Sequence, residues 1–289
     1  MIYLQLILTA FFWGGTFIAG KLLASEIHPL TASLLRFSVA TIALYLILSW
    51  RGNKPSLPEI QYLPRLLLLG LSGIFCYNIF FFHGLSHIDA GRAALIIATT
   101  PLVITLLSIV ILRERITLLK GAGVCISLFG ALFVISNGHP TILFSQGIGI
   151  GERSLIGCVL SWAAYTIIGR TLVNKIPPIL TVFYSSALGT LLLLIPSLWL
   201  GLVPETSNLS MTGWLCILYL GVFGTAIGFS WYYQGLNRIG ATRSAIFINL
   251  VPVFGMSLSV LIFSESIKST VITGGILIIC GIYLANKKH

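Results

Sequence analysis

The residues best suited to bind a small molecule are aromatic side chains that recur on single helical faces. Trp13 and Thr16 are three residues apart, and Trp162 and Tyr165 repeat that spacing in the second half of the chain. A glycine follows four residues later in both places, so each group of three lies on one face of a helix. Aromatic faces with a few hydroxyl groups suit an apolar or aromatic molecule with a polar head. The alternative is that these rings fill the core of a helical bundle.

Amide, hydroxyl and imidazole groups complete the candidate substrate-binding set. Tyr77 and Phe81 share a helical face, and Tyr232 with the neighbouring Trp231 occupies the corresponding part of the second half. His83 offers a proton carrier, although a histidine near a helix end is more often solvated or interfacial. We expect the set to line a cavity at the middle of the membrane. It comprises Trp13, Thr16, Tyr77, Asn78, Phe81, His83, Thr100, Trp162, Tyr165, Trp231, Tyr232 and Asn249.

Two prolines, Pro101 and Pro252, lie within apolar stretches at equivalent positions of the two halves. A proline inside a helix removes a backbone hydrogen bond and kinks the helix. In a membrane such a break is tolerated beside protein or a water-filled cavity. The two prolines therefore predict helix breaks next to the candidate site, with an ordinary packing kink as the alternative.

The charged residues limit what kind of carrier the chain could be if its apolar stretches cross a membrane. All seven acidic residues lie in loops or at the ends of apolar stretches, whereas proton relays place a carboxylate inside the membrane. This disfavours a proton-driven antiporter of cationic drugs and favours an uncoupled facilitator or exchanger. Arg36 lies inside an apolar stretch, where we expect it to pair or to reach the surface more often than to bind substrate. Glu114 and Glu265 are expected to serve helix ends, to lock helices together or to act as gates.

The sequence has no arrangement of residues typical of a membrane enzyme or a metal site. An aspartyl intramembrane protease needs two membrane aspartates, and Asp89 is the only aspartate in the chain. The five cysteines are widely spaced without a CxxC pair, and no HExxH motif occurs. We therefore expect neither an enzyme nor a cofactor.

Composition identifies the class of protein that must position these residues. The chain has 289 residues, of which 57% are hydrophobic and 8% charged, whereas soluble domains carry about 25% charged residues. So few charges exclude a soluble enzyme, a disordered chain and a fibrous protein. The net charge of +10 comes from scattered loop residues, so we expect the lipid bilayer and a small molecule as partners, and no nucleic acid. The oligomeric state stays open, a monomer included.

The hydrophobic runs predict an all-α membrane protein with ten transmembrane helices. If both termini are cytoplasmic, twelve of the 17 Lys and Arg residues lie in inner segments, four lie in outer loops, and Arg36 lies within a span. This asymmetry predicts cytoplasmic termini. The predicted spans are 2–23, 30–50, 63–86, 91–112, 117–136, 154–173, 178–202, 212–237, 242–263 and 269–286.

The two halves of the chain match each other. At an offset of 149 residues Trp13 falls on Trp162, and at an offset of 151 residues Pro101 falls on Pro252. We interpret residues 1–136 and 154–289 as five-helix repeats joined by a linker over 137–153. Because five is odd, the second repeat enters the membrane inverted, as in many secondary transporters.

The sequence resembles the EamA family of the drug/metabolite transporter superfamily over essentially its whole length, once in each repeat. The resemblance rests on Trp13-Gly14-Gly15-Thr16-Phe17, on Leu35-Arg36-Phe37 and on the run from Ala90 through Pro101 to Glu114. The second repeat has the corresponding run from Ala241 to Glu265, although it reads Ser264-Glu265-Ser266 where the family often has Gly-Glu. The resemblance implies a ten-helix carrier of small metabolites, typically an exporter of amino acids or related compounds in a bacterial cytoplasmic membrane.

Together these observations predict a secondary transporter that exports small metabolites by alternating access, with aromatic or neutral amino acids ranked first. Two alternatives stay open at this point. One is a channel-like facilitator, because aromatic and hydroxyl linings also form pores. The other is an exporter of drug-like or nucleobase-like aromatic compounds.

Overall fold

The computed structural model describes residues 1–23, 25–52, 55–87, 96–136, 138–139, 148–263 and 269–287. Within these ranges all regular structure is helical. Nine of the described helices are long and apolar enough to cross a membrane, and the described part of α4 is a shorter apolar helix. The helices are α1 (Ile2–Leu23), α2 (Pro29–Trp50), α3 (Ile60–Gly84), α4 (Ile96–Val110), α5 (Leu118–Ile135), α6 (Ile150–Leu172), α7 (Pro178–Trp199), α8 (Met211–Ile239), α9 (Ala241–Leu258) and α10 (Ser269–Asn286).

The predicted spans agree with these helices to within a few residues where the structure describes both ends. The main difference is α6, which begins at Ile150 although the sequence predicts a linker as far as residue 153. Its first turn is capped because the Gly149 backbone N–H donates a hydrogen bond of 2.8 Å to Glu152 Oε2. The predicted start of the fourth span at residue 91 and the site of Glu265 lie outside the described residues.

The outer surface of the bundle is apolar, as a lipid environment requires. Large aliphatic side chains such as Leu4, Ile42 and Leu191 are exposed on the helices, and a soluble protein rarely leaves so much apolar surface uncovered. Trp50 and Trp199 end α2 and α7 and are 89% and 93% exposed. Tryptophan is enriched at the boundary between hydrocarbon and water, so these rings lie where the membrane interface is expected.

Helices α5 and α10 pack directly backbone to backbone. A Cβ atom on Gly123 would lie 2.6 Å from the Gly281 carbonyl oxygen, and one on Gly130 would lie 2.8 Å from the Gly274 carbonyl oxygen. Small residues allow such close approach between membrane helices. Because the residue numbers rise along one helix as they fall along the other, the two helices cross antiparallel.

The main contacts of α1 and α6, and those of α2 and α7, follow the same pattern in the two halves of the chain. Helix α1 packs against α8 and α9, and its counterpart α6 packs against α3 and α4. Helices α2 and α7 pack against each other, and each also contacts the interrupted helix of the other half, α8 or α3. Each half therefore completes the packing of the other.

Four helices are interrupted within the described residues. Helix α3 contains a π-helical segment over Gly70–Cys76, and α8 contains one over Leu220–Ile227. In α4 a turn at Thr99 precedes the helix that carries Pro101, and in α9 a 3₁₀ segment, Ile246–Leu250, precedes the one that carries Pro252. Each proline is the second residue of its α-helical segment, where a missing N–H leaves no hydrogen bond unmade.

Two glutamates cap helices that belong to the other half of the chain. The Glu114 carboxylate accepts hydrogen bonds of 2.9 Å from the Ala241 backbone N–H and the Thr242 hydroxyl, at the start of α9. Glu26 accepts two from Ser210, which precedes α8. An anionic side chain stabilises the N-terminus of a helix. The predicted helix-end role of Glu114 is confirmed.

The glycine contact between α5 and α10 makes a testable prediction. Replacing Gly123 with alanine forces a methyl group against backbone atoms that cannot move aside, so we expect a loss of about 1–3 kcal/mol in the free energy of unfolding. Thermal unfolding in detergent, monitored by circular dichroism, measures the change.

The matched control is Gly20→Ala, because a Cβ atom on Gly20 has no neighbour within 4 Å. Alanine there should raise stability by up to about 1 kcal/mol through helix propensity. Equal melting temperatures for the two variants would contradict the backbone contact at Gly123.

Candidate substrate site

Five aromatic rings from three helices meet around Trp162. The ring centroid of Trp162 in α6 lies 5.4 Å from that of Trp13 in α1 and 5.2 Å from that of Tyr165. It also lies 5.1 Å from Phe229 and 5.8 Å from Tyr232, both in α8. We call these five residues the aromatic centre. It lies where α1 of the first half meets α6 and α8 of the second.

Helix α3 extends the aromatic centre, whereas one predicted residue lies elsewhere. The Tyr77 ring lies 5.5 Å from Trp162 and 6.0 Å from the nearly parallel ring of Phe81. Trp231 instead packs on Phe12 at 5.8 Å, on the other side of α1 and α8. Neighbouring residues of a helix point about 100° apart, so Trp231 does not share the face of Tyr232.

The aromatic centre is closed in this conformation. Trp162 is 7% exposed, Tyr232 1% and Tyr165 0%, because the rings pack on one another. A narrow crevice between α1, α8 and α9 reaches Trp13 and Tyr232, but it has no room for a water molecule. Ligand pockets usually hold 300–1,000 Å³. In place of the expected open cavity, the structure has a centre in which the rings fill the space between the helices.

Polar groups of the aromatic centre are only partly satisfied. The Tyr165 hydroxyl lies 3.3 Å from the Ser185 hydroxyl, and the Tyr232 hydroxyl lies 3.1 Å from that of Thr166. Trp162 Nε1 is buried and has no hydrogen-bond partner of acceptable geometry among the described residues. An unsatisfied buried donor is costly, so this N–H is available to an acceptor on a ligand.

The π-helical segment of α8 connects the aromatic centre to a cation. The Gly224 carbonyl oxygen accepts a 2.8 Å hydrogen bond from Trp13 Nε1. The adjacent Thr225 hydroxyl accepts one of 2.8 Å from Arg36 Nε and donates to the Leu220 carbonyl oxygen. π-Helical turns inside α-helices are often found at functional sites. Here the interruption presents a carbonyl and a hydroxyl group to side chains of the first half.

The predicted amides and hydroxyls make hydrogen bonds within the protein. Asn78 donates a hydrogen bond to a carbonyl group of its own helix and accepts one of 3.2 Å from the Ser33 hydroxyl of α2. Asn249 donates a hydrogen bond of 3.0 Å to the Ser127 hydroxyl of α5. Thr100 bonds the carbonyl group three residues earlier. These contacts tie helices together, and none of them reaches the rings of the aromatic centre.

His83 and Thr16 also have local partners. His83 is exposed, its Nδ1 lies 2.8 Å from the Ser154 hydroxyl, and its ring lies 4.5 Å from that of His87. It therefore lies at the end of α3, in line with the interfacial interpretation. Thr16 donates to the Trp13 carbonyl oxygen, and its methyl group would lie 2.9 Å from a Cβ atom on Gly224.

Two features of the site were missed by sequence reasoning. Phe229 contacts Trp13, Trp162 and Tyr165 in the aromatic centre, and its position three residues before Tyr232 is the spacing that places the two on one face. The bond between Arg36 and Thr225 joins residues 189 positions apart. Helical spacing cannot predict a contact between residues so far apart in the sequence.

Apolar helices around an internal aromatic and polar site define a multi-pass α-helical membrane protein. A profile of the EamA-like transporter family matches residues 1–136 and again 149–287. The chain belongs to this family, and it is a membrane transporter for a small molecule.

Individual relatives cover nearly the whole chain. It is 28% identical over 285 residues to an uncharacterized transporter, YyaM, of Bacillus subtilis, covering 99% of this chain and 93% of that protein. It is 28% identical over 287 residues to a probable terminal-alkyne amino-acid exporter of Streptantibioticus cattleyicolor, covering 98% and 92%. A solved crystal structure superposes with a TM-score of 0.82 at 19% identity, covering 99% and 96%. That structure shows that the fold is shared.

The aromatic centre predicts unequal effects for two tryptophans. Trp162→Ala removes five ring contacts, each worth about 0.5–1.5 kcal/mol. We expect it to lower transport at least about tenfold, since 1.4 kcal/mol corresponds to a factor of ten. Trp199→Ala should leave transport nearly unchanged because Trp199 is 93% exposed at a helix end.

Transport is compared per amount of monodisperse protein in proteoliposomes, so that a loss of folded protein is not scored as a loss of transport. Trp162→Phe keeps a ring at the position and should retain more activity than Trp162→Ala. Equal losses for the two alanine variants would mean that Trp162 has no special place in transport.

Proposed function

We propose that this protein is a secondary transporter that exports neutral or aromatic amino acids by alternating access. The observation that carries the proposal is the closed aromatic centre between α1, α6 and α8, with the unpartnered Nε1 of Trp162 at its middle. A relative named as a probable terminal-alkyne amino-acid exporter supports the substrate class. Apolar rings would hold the side chain, while the few polar groups orient the head.

Alternating access is supported by the way the two halves pack. We propose that residues 1–136 and 154–289 are repeats of inverted topology. The antiparallel crossing of α5 and α10 is the arrangement that inversion requires of equivalent helices. A substrate site between such repeats can face either side as one repeat rocks against the other.

We further propose that transport is not driven by protons. Three of the described carboxylates cap helices: Glu26 bonds Ser210 before α8, Glu114 bonds the start of α9 and Glu152 bonds the start of α6. Proton relays instead use ionisable groups within the membrane. Uncoupled exchange or facilitated export therefore accords with the site, in a bacterial cytoplasmic membrane with both termini inside.

The test is efflux of a labelled amino-acid panel, aromatic members included, from proteoliposomes with and without a pH gradient. We expect saturable efflux of neutral or aromatic amino acids that unlabelled substrate on the opposite side accelerates and that the gradient does not change. Uphill movement driven by the gradient would refute the uncoupled mechanism. Efflux without saturation would indicate a pore, and no efflux of any amino acid would refute the substrate class.

A further inference from the structure

We propose that Arg36 binds the carboxylate group of the substrate. The proposal rests on the amino-acid export proposed above and assigns a partner to a cation in the membrane. Arg36 lies seven residues into α2, about 10 Å along the helix at 1.5 Å per residue. A cation at such depth is stabilised only by a partner or by reaching water.

The protein itself supplies only part of that partner. Arg36 Nε donates to the Thr225 hydroxyl, and the guanidinium group lies 5.2 Å from the centre of the Phe37 ring. Among the described residues no carboxylate pairs with Arg36 and no acceptor bonds its two terminal nitrogens. The Thr225 bond holds one edge of the guanidinium, and the other donors stay available as a fork that matches a carboxylate.

The position of Arg36 links this fork to the aromatic centre. One of its terminal nitrogens lies 3.7 Å from where a Cβ atom on Gly224 would be, so the guanidinium group lies beside the Gly224 backbone. The Gly224 carbonyl oxygen bonds Trp13, and Phe37 lies 6.3 Å from Phe229. A carboxylate on Arg36 thus places the rest of a small molecule against the rings.

The charge at this site selects the class of substrate. At the offset of 149 residues that relates Trp13 to Trp162, the counterpart of Arg36 is Ser185, a neutral residue bonded to Tyr165. One cation balances one carboxylate, whereas a phosphate ester carries up to two charges. An ammonium group finds no described carboxylate here, but it can bind over aromatic faces. The site therefore fits an α-amino acid with an apolar or aromatic side chain.

Binding of three related compounds tests the proposal on the full-length protein in detergent, with tryptophan fluorescence as the readout. L-Phenylalanine has both head groups, 3-phenylpropionate lacks the amine, and phenethylamine lacks the carboxylate. We expect Arg36→Gln to weaken binding of the two carboxylates at least about tenfold, since it removes hydrogen bonds to a charged group. Binding of phenethylamine should stay unchanged.

Three further variants separate charge, geometry and folding. Arg36→Lys keeps the charge without the fork and should weaken carboxylate binding less than Arg36→Gln does. Thr225→Val removes the hydrogen bond that orients Arg36. It should also weaken carboxylate binding and leave the binding of phenethylamine unchanged. Arg153→Gln, at an exposed position, removes the same net charge and should change nothing. If Arg36→Gln is not monodisperse, the Lys and Val variants carry the test.

The outcomes distinguish this site from the proposed function. Equal weakening of all three compounds by Arg36→Gln, or of none, would overturn the carboxylate site. Efflux of phenylalanine that is insensitive to Arg36→Gln would overturn the site and leave the exporter standing. Carboxylate-selective binding without efflux would support the site and refute amino-acid export. Failure of the native protein to bind any of the three would overturn both.

Discussion

The hydrocarbon environment requires every backbone polar group to find its partner within the protein, and the rest of the structure follows from that constraint. An uninterrupted helix satisfies its backbone groups internally, whereas an interrupted helix leaves some that need a partner elsewhere in the protein. In α8 the π-helical segment receives that help from side chains, since Gly224 accepts from Trp13 and Thr225 donates to Leu220. Inside the bundle, other parts of the protein can supply these partners, whereas lipid cannot. Irregular backbone is therefore found where the two halves meet, and the lipid-facing surfaces stay regular.

Burial then determines which polar groups are available. Most hydroxyls and amides of the interior bond a nearby carbonyl group or one another, as Asn78 and Asn249 do. Trp162 Nε1 is one of the buried polar atoms without a partner among the described residues, and the terminal nitrogens of Arg36 also have no acceptor there. Both are donors, and both lie beside the rings of the aromatic centre. In the proposed transporter, chemical selectivity would come from these donors against an apolar background.

The sequence predicts the helices well because an apolar run of about 20 residues has one stable arrangement in a bilayer. Helix ends are less predictable, as the early start of α6 shows, since its cap is a bond between Gly149 and Glu152 and not a change in hydropathy. Helical spacing also places Trp13, Trp162 and Tyr165 together. It fails for Trp231, which adjacency to Tyr232 suggested and helical geometry excludes. The π-helical register and the bond between Arg36 and Thr225 depend on distant parts of the chain, which local patterns do not report.

The crossing of α5 and α10 has a mechanical consequence. Side chains can change rotamer and let two helices slide, but the contact between Gly123 and Gly281 has backbone on both sides. Gly130 and Gly274 repeat this contact farther along the same two helices, so sliding of α5 over α10 would drive backbone against backbone. If the halves move as proposed, this pair turns as one unit. A small rotation of the pair would then become a larger displacement of helices remote from it.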